Sequence, residues 1–402
     1  MSDLKPLHYG RQTIEDDDIE AVVACLKSDF LTQGPAVKRF EDSLCEATGA
    51  KYAVAVANGT AALHLASLAA GVHAGDVGIT STITFVASAN GIRYAGGTAA
   101  FADVDPETGH VVPSSIDERV DEAKGRVRVI VPVDLTGSVC DLPAVQASAE
   151  RASKRFGRVM VIEDAAHSLG ADYEHEGKRY RAASCAHSDM AILSFHPVKH
   201  VTTGEGGAIT TNDEALFKEL CDLRTHGITK DPAKLEKNDG PWYYEQRRLG
   251  FNYRITDMQC ALGASQMKKL GRFVDRRRAI AARYDEAFAQ HGDRVRALSV
   301  PKGVRSAYHL YVIRIVAQPG ENLRQVEERR KKLYLSLAEK KIFCQVHYIP
   351  VHQQPDFVKN GMGKESLPGA DAYYASCLSL PMFPAMTDAD ADRVIRAVVE
   401  SV

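Results

Sequence analysis

Lys199 lies in SFHPVKHVTTGEGG, residues 194–207, at a bend between two short apolar stretches, MAIL and GAIT. A lysine in that place either runs its stem along the surface to solvent or stays enclosed. Enclosure disfavours the ammonium form, lowers the pKa and leaves an amine that attacks an aldehyde. Glu163-Asp164 closes the apolar run VMVI. A carboxylate there caps a following helix or, at the carboxyl end of a sheet strand, keeps the nitrogen of a heteroaromatic ligand protonated. Asn58-Gly59-Thr60 follows the run YAVAVA. At a strand-to-helix turn, unpaired N–H groups and the helix dipole form a phosphate site to which Thr60 adds a hydroxyl, although an ordinary turn uses the same residues. Phe85, in TITFVAS, is either a core ring or an aromatic face for a planar ligand.

Each residue alone has an ordinary structural reading. Together, in this order, a phosphate cradle, a ring-nitrogen carboxylate and a carbonyl-capturing lysine meet the needs of pyridoxal 5'-phosphate (PLP). They require a scaffold that brings distant segments to one edge. Strand-like runs (YAVAV, TAAFADV, VRVIV, VMVI) alternate with helical patterns such as LPAVQASAERASKRFG, which predicts an α/β layer structure with a largely parallel sheet. Runs such as VRVIV lack period-two alternation and suit strands covered on both faces. Helices are expected over 14–29, with Thr13 as N-cap, and from Pro35 to Thr48. Residues 256–290 read as one strongly helical interdomain stretch. Beyond it AYHLYVIRIVA and IFCQVHY read as strands, separated by the helix NLRQVEERRKKLYLSLAEK, and Thr387 opens a last surface helix. The division expected is a large α/β domain over 1–270 and a smaller α+β domain over 271–402.

With 45% hydrophobic and 25% charged residues the chain has the balance of a water-soluble globular protein, and a net charge of -2 argues against a generally basic nucleic-acid surface. The run Arg276-Arg277-Arg278 is expected on a solvated helix face. Eight scattered cysteines, none in a C-x-x-C pair, read as buried free thiols and not as metal ligands or disulfides. MSDLKPLHYG has no apolar signal-like core and no run reaches the length of a membrane span, so a cytoplasmic protein without membrane partners is expected. No G-x-G-x-x-G follows the first strand, which removes the dinucleotide-dependent oxidoreductase reading.

The ordered blocks NGTAAL, TFVASAN, EDAAHSLG, SFHPVKHVTTGEGG and GFNYRITDMQCALG resemble the DegT/DnrJ/StrS sugar-nucleotide aminotransferases, PLP-dependent transferases of fold type I. The likeness covers nearly the whole chain. DAAHSLG, with His in a position where many relatives carry Gln, and QVHYIPVHQQP resemble most the branch acting in pseudaminic acid synthesis, the UDP-4-amino-4,6-dideoxy-N-acetyl-β-L-altrosamine transaminases. The resemblance implies that Lys199 links covalently to PLP and moves the proton during transamination, that Asp164 pairs with the ring nitrogen, and that His167 sits near the ring or its O3'. It implies Phe85 stacked on the ring and Gly59, Thr60 and Ser194 on the phosphate. It further implies a homodimer in which Asn252, with Arg254, completes the phosphate site of the partner subunit. His347, His196 and Glu205 become candidate substrate residues, the last two with an equal claim to shaping the lysine loop. L-glutamate is the implied donor and a UDP-linked 4-keto-6-deoxy-N-acetylhexosamine the implied acceptor. GDP-linked 4-ketosugars and 3-ketosugars would use the same core residues. Relatives that dehydrate sugars carry His in place of the lysine, whereas here Lys199 is present and His200 follows it. A non-catalytic PLP-binding regulator or scaffold is a reading of another class, and the presence of lysine, aspartate and cradle together counts against it.

Overall fold

The computed structural model describes residues 5–402. The sequence-based reading of the N-terminus falls partly on residues 1–4, outside the described residues. Seven strands form the central sheet: β1 (Tyr52–Val56), β2 (Asp76–Ser81), β3 (Thr98–Ala102), β4 (Arg126–Val131), β5 (Met160–Asp164), β6 (Met190–Ser194) and β7 (Gly207–Thr211). Their order is β1-β7-β6-β5-β4-β2-β3. Only β7 runs antiparallel to its neighbours, so the other six point their carboxyl ends to one edge. The near-continuous apolar runs have the reason expected of them: β5, β6 and β7 are buried along almost their full length, with helices packed on both faces.

Helices α1 (Asp16–Leu26), α2 (Pro35–Thr48), α3 (Gly59–Ala69), α4 (Ala87–Tyr94), α5 (Pro113–Glu122), α6 (Leu142–Phe156) and α7 (Glu214–Arg224) surround that sheet. The α3 segment is almost wholly buried, which its small residues permit. The α1 cap differs from expectation: Glu15, not Thr13, is the N-cap, because Asp18 reaches back to the Glu15 amide at 3.0 Å in a capping box. Residues 256–290 form two helices, α8 (Asp257–Met267) and α9 (Leu270–Ala289), not one. Lys269, at the break, turns its ammonium inward to the buried Asp18 at 2.6 Å.

A second sheet contains β8 (Val295–Ala297), β9 (Tyr311–Ile315) and β10 (Cys377–Leu380), all antiparallel. The run IFCQVHY is not one of its strands. Only Ile342–Phe343 extends, pairing in parallel with Leu7–His8, while CLSL supplies the third strand. Short apolar runs leave that choice open, since strand length and partner are settled by packing. Helices α10 (Leu323–Glu339), α11 (Pro355–Lys359), α12 (Pro368–Ser376) and α13 (Asp388–Val399) complete the fold, with Thr387 capping α13 as expected.

The α9 helix serves two cores. Leu270 and Val274 pack with the cluster beneath the large sheet, whereas Ile280, Ala281, Tyr284 and Phe288 pack with the small sheet. Here the solvated-face reading of Arg276–Arg278 fails: Arg276 and Arg278 are half-buried and donate to the carbonyls of Met386 and of Ser306 and Gly170, and the middle member is enclosed altogether. Arg277 is fully buried, donates to the carbonyls of Tyr308, His309 and Met382, and has its pKa pushed down to about 10 by burial. A period of 3.6 turns the central residue of three away from its neighbours, and here toward the seam between the cores. All eight cysteines are free and six are buried.

Candidate active site

The carboxyl ends of β1, β2, β4, β5 and β6 meet at a cleft of about 680 Å³. Asn58, Thr84, Val133, Asp164 and Ser194 reach it from just beyond or at the ends of those five strands. This convergence is where ligands collect in open α/β sheets. A groove of about 1170 Å³ between α1, α2 and α8 is larger, but it holds none of the convergent groups described here.

The cradle forms where β1 passes into α3. Asn58 is the N-cap and its side chain accepts from the Ala61 amide at 2.8 Å, which leaves the Gly59 and Thr60 amides as helix-start donors. Ser194, at the end of β6, closes the other side: a Cβ on Gly59 would lie 3.2 Å from that of Ser194. Gly207, opposite Ser194 in the sheet register, has no room for any side chain, since a Cβ would stand 2.5 Å from the Asn58 carbonyl. The small residues are therefore required by the close approach of three backbone segments.

Asp164 is buried at the end of β5. Ser88 donates to its Oδ2 at 2.6 Å and the Ala166 amide to its Oδ1 at 3.2 Å. No helix begins there, so the capping alternative is not realised. Burial raises the Asp164 pKa, while Ser88, the Ala166 amide and Lys199 pull it down. Lys199 follows β6 through the His196-Pro197-Val198 turn, its amide donating to the His196 carbonyl at 2.9 Å. Its side chain opens into the cleft, and burial pushes its pKa down to about 8 against the opposing pull of Asp164. At pH 7 about a tenth of such an amine is unprotonated, several hundred times more than at the ordinary value of 10.5, which suits it to attack a carbonyl.

His167 is buried, accepts or donates through Nε2 at 3.2 Å from the Tyr348 hydroxyl, and has no partner at Nδ1. Burial, with Lys199 and two nearby imidazoles, holds it well below the usual histidine range. Phe85 lies at the cleft with 58% of its surface exposed, unlike a core phenylalanine. His347 comes from the segment after α10, is buried against Tyr9, and pairs through Nδ1 with Ser379 at 2.8 Å. His196 and Glu205 line the exposed rim. Asn252 and Arg254 do not line the cleft of their own chain: Asn252 is exposed, and Arg254 lines a separate surface pocket with Gln33 and Lys38.

Several lining residues were missed from sequence. Ser88 orients Asp164 and accepts from Thr84 at 2.7 Å. Tyr348 and His309 flank His167, the latter with ring centroids 4.4 Å apart and its own Nδ1 unpartnered. Tyr9 reaches the cleft from the N-terminal segment, and Tyr253 pairs with His64 at 3.2 Å. Ser88, Tyr253 and Tyr348 lie within blocks whose likeness to a family was noted (TFVASAN, GFNYR and QVHYIPVHQQP), but nothing there singled them out. The others are hydroxyls and imidazoles whose partners are remote in the chain.

The site fits PLP on its own terms. The cradle cannot admit a Cβ at Gly207, an acid and an amine face one cleft, and the His167 and His309 Nδ1 atoms are buried without partners. PLP supplies an electron sink for the bonds being made and broken at nitrogen, and the protein supplies position and proton transfer.

Residues 12–399 match the DegT/DnrJ/EryC1/StrS aminotransferase family. The chain is 36% identical over 394 residues to the spore coat polysaccharide biosynthesis protein SpsC of Bacillus subtilis, covering 98% of this chain and 96% of that one. It is 34% identical over 387 residues to the UDP-4-amino-4,6-dideoxy-N-acetyl-beta-L-altrosamine transaminase of Campylobacter jejuni, covering 96% and 94%. Among solved structures, Helicobacter pylori PseC, an aminotransferase in pseudaminic acid biosynthesis, superposes with a TM-score of 0.85 at 27% identity over 99% of both chains. The PLP form of the putative sugar aminotransferase Spr1654 of Streptococcus pneumoniae gives 0.86 at 27% identity, covering 99% and 100%. The fold is that of PLP-dependent transferases of type I, and the chain belongs to the DegT/DnrJ/EryC1/StrS family as a PLP-dependent sugar aminotransferase.

Proposed function

We propose that the enzyme moves the amino group of L-glutamate to C4 of a UDP-4-keto-6-deoxy-N-acetylhexosamine, in a pathway of the pseudaminic acid type. The observation that carries the catalytic part is the half-buried Lys199 amine lining one cleft with the buried Asp164, where burial pushes the lysine pKa down to about 8. The sugar assignment is supported by the Campylobacter relative, whose name gives a UDP-linked 4-amino-4,6-dideoxy-N-acetyl sugar, the compound that amination of such a ketosugar at C4 yields. Lys199 is the nucleophile and the group that carries the proton between donor carbon and cofactor. Asp164 holds the ring nitrogen, and Gly59, Thr60 and Ser194 hold the phosphate. Phe85 faces the ring, and His167 meets it at its edge. His347 meets substrate, and His196 and Glu205 either do so or shape the loop that carries Lys199.

Asn252 and Arg254 act in the site of a second copy in a homodimer, which accounts for their lying outside the cleft of their own chain. The division into 1–270 and 271–402 cuts at the start of α9, the helix both cores share. A cytoplasmic location agrees with eight unpaired thiols; among the described residues no helix is long and apolar enough to cross a membrane.

The test is transamination against a panel of UDP- and GDP-linked 4-keto and 3-keto sugars, with glutamate as donor. Turnover fastest on the UDP-linked 4-ketosugar supports the reading. A higher kcat/KM for a GDP-linked sugar or a 3-ketosugar replaces it, and absence of turnover on every member with PLP bound points to a non-catalytic protein.

A further inference from the structure

The two carboxylate oxygens of Asp164 meet one donor each: the Ser88 hydroxyl at 2.6 Å on Oδ2 and the Ala166 amide at 3.2 Å on Oδ1. Behind Ser88 stands the Thr84 hydroxyl, 2.7 Å away. Both hydroxyl residues are buried, and that of Thr84 has no other partner among the described residues. Thr84, Ser88 and Asp164 thus form one line, and each hydroxyl in it has a single proton to give.

Only one direction along that line leaves no hydrogen without an acceptor. Thr84 donates to Ser88, Ser88 donates to Asp164, and the carboxylate accepts at both oxygens. In the opposite direction a protonated Asp164 donates to Ser88 and Ser88 to Thr84. The Thr84 hydrogen then has no acceptor in the protein, which is the costly arrangement for a buried hydroxyl. The line is therefore complementary to the ionised acid, and hydrogen bonds to a charged form favour it. Burial pushes the Asp164 pKa up, and Ser88 pulls it down ahead of the Ala166 amide and Lys199. Of the ionisable groups around it, Lys199 opens into the same cleft, and Tyr348 keeps its proton because burial raises its pKa. Glu163, the preceding residue of β5, turns to the other face of the sheet and accepts from the Ala183 amide at 2.8 Å.

We propose that Ser88 is a positioning residue: aligned by Thr84, its hydroxyl holds Asp164 as a fixed carboxylate, the form that keeps the cofactor's ring nitrogen protonated. Without Thr84, Ser88 is free to turn to the Phe85 carbonyl, 3.4 Å away. Without Ser88, Oδ2 loses its donor, and a buried carboxylate short of a donor takes up a proton more readily. Thr84, Phe85 and Ser88 belong to one short segment entering α4, so the support for Asp164 and the group facing the ring come from the same piece of chain. The inference rests on PLP occupying this cleft with its ring nitrogen at Asp164, and is independent of which sugar is used.

The test begins with the apoenzyme carrying 13C-labelled aspartate, with the Asp164 carboxyl signal assigned by its loss in Asp164→Asn. Wild type is expected to show a carboxylate at pH 7. Ser88→Ala is expected to weaken the acid by roughly tenfold or more in its ionisation constant, the size of one hydrogen bond to a charged group. Thr84→Val is expected to move it in the same direction by a smaller factor. An uncharged Asp164 in wild type at pH 7 overturns the proposal, as does an unchanged ionisation constant in Ser88→Ala. A stronger acid in Thr84→Val overturns it too, since Ser88 would then have been donating to Thr84. The Kd for PLP in Ser88→Ala is expected to rise roughly tenfold. In an Asp164→Asn background the same substitution changes Kd less than about twofold, the pattern of two residues acting as one unit. An equal Kd penalty in both backgrounds overturns the cofactor half of the proposal, and with it the placing of the ring nitrogen at Asp164, even where the titration shifts as expected.

Discussion

Lys199 carries a pH signature that a surface lysine lacks. With its pKa near 8, half of the amine is free two and a half units below the ordinary value of 10.5. Capture of PLP by the apoenzyme is therefore expected to accelerate through pH 7–8 and level off above it, as followed by stopped-flow absorbance; a rise continuing to pH 10 would contradict the enclosed-lysine reading. The stability consequence has a definite sign. The fold disfavours the protonated form, so Lys199 opposes folding at pH values below about 8, and this cost fades as pH rises toward 10.5. Apo Lys199→Met is expected to be more stable than wild type by roughly 1–3 kcal/mol at pH 7, shrinking toward zero near pH 10.5, in urea unfolding. Lys199→Ala should abolish turnover and leave no borohydride-reducible link to PLP. Asp164→Asn should keep PLP bound but lower kcat by roughly 10²–10³-fold, because an amide does not hold the ring nitrogen protonated. Lysine, aspartate and cradle were legible in sequence because each chemical role demands one residue type. Ser88, Tyr348 and His309 were not, since a hydroxyl or imidazole becomes a site residue only through the neighbour that folding provides.

Two elements hold the site in shape. At the start of β7, Gly207 lets that strand lie against the β1–α3 turn, where a methyl group would meet the Asn58 carbonyl at 2.5 Å. Gly207→Ala is expected to push the cradle out of line, costing roughly 1–3 kcal/mol in urea unfolding and weakening PLP binding in direct titration. In α9, Arg277 ties the helix to the small sheet through carbonyls just before β9 and just after β10. Arg277→Met leaves those buried carbonyls unpaired and is expected to destabilise the protein by roughly 2–4 kcal/mol; an unchanged unfolding midpoint would remove Arg277 from that role. The strands of the large sheet could be read from their apolar runs, and α2 and α13 from Pro35 and Thr387, because those signals are local. The break between α8 and α9, the Glu15 cap and the burial of Arg277 were not legible. In each case a polar side chain turns inward to a partner far along the chain, as Lys269 does to Asp18.

At the scale of the whole molecule, the proposed sharing of sites between two copies makes a quantitative prediction. Chains carrying Lys199→Ala and chains carrying Asn252→Ala are each expected to be nearly inactive alone. Mixed and reassembled one to one, they should recover about a quarter of wild-type activity, because half of the dimers are mixed and each has one intact site. Recovery of none would place Asn252 outside the partner's site. The sequence by itself determined the alternating α/β scaffold, the order of cradle, aspartate and lysine along it, and the family, because residue type and strand pattern are properties of short segments. Only the tertiary structure decided that Tyr9, His309 and Tyr348 stand over the same cleft as His347. They arrive from segments separated by most of the chain, and nothing local records which of them meet. It also decided that Nδ1 of His167 lies shielded and unpaired, because the tautomer of an imidazole depends on what packs against each nitrogen.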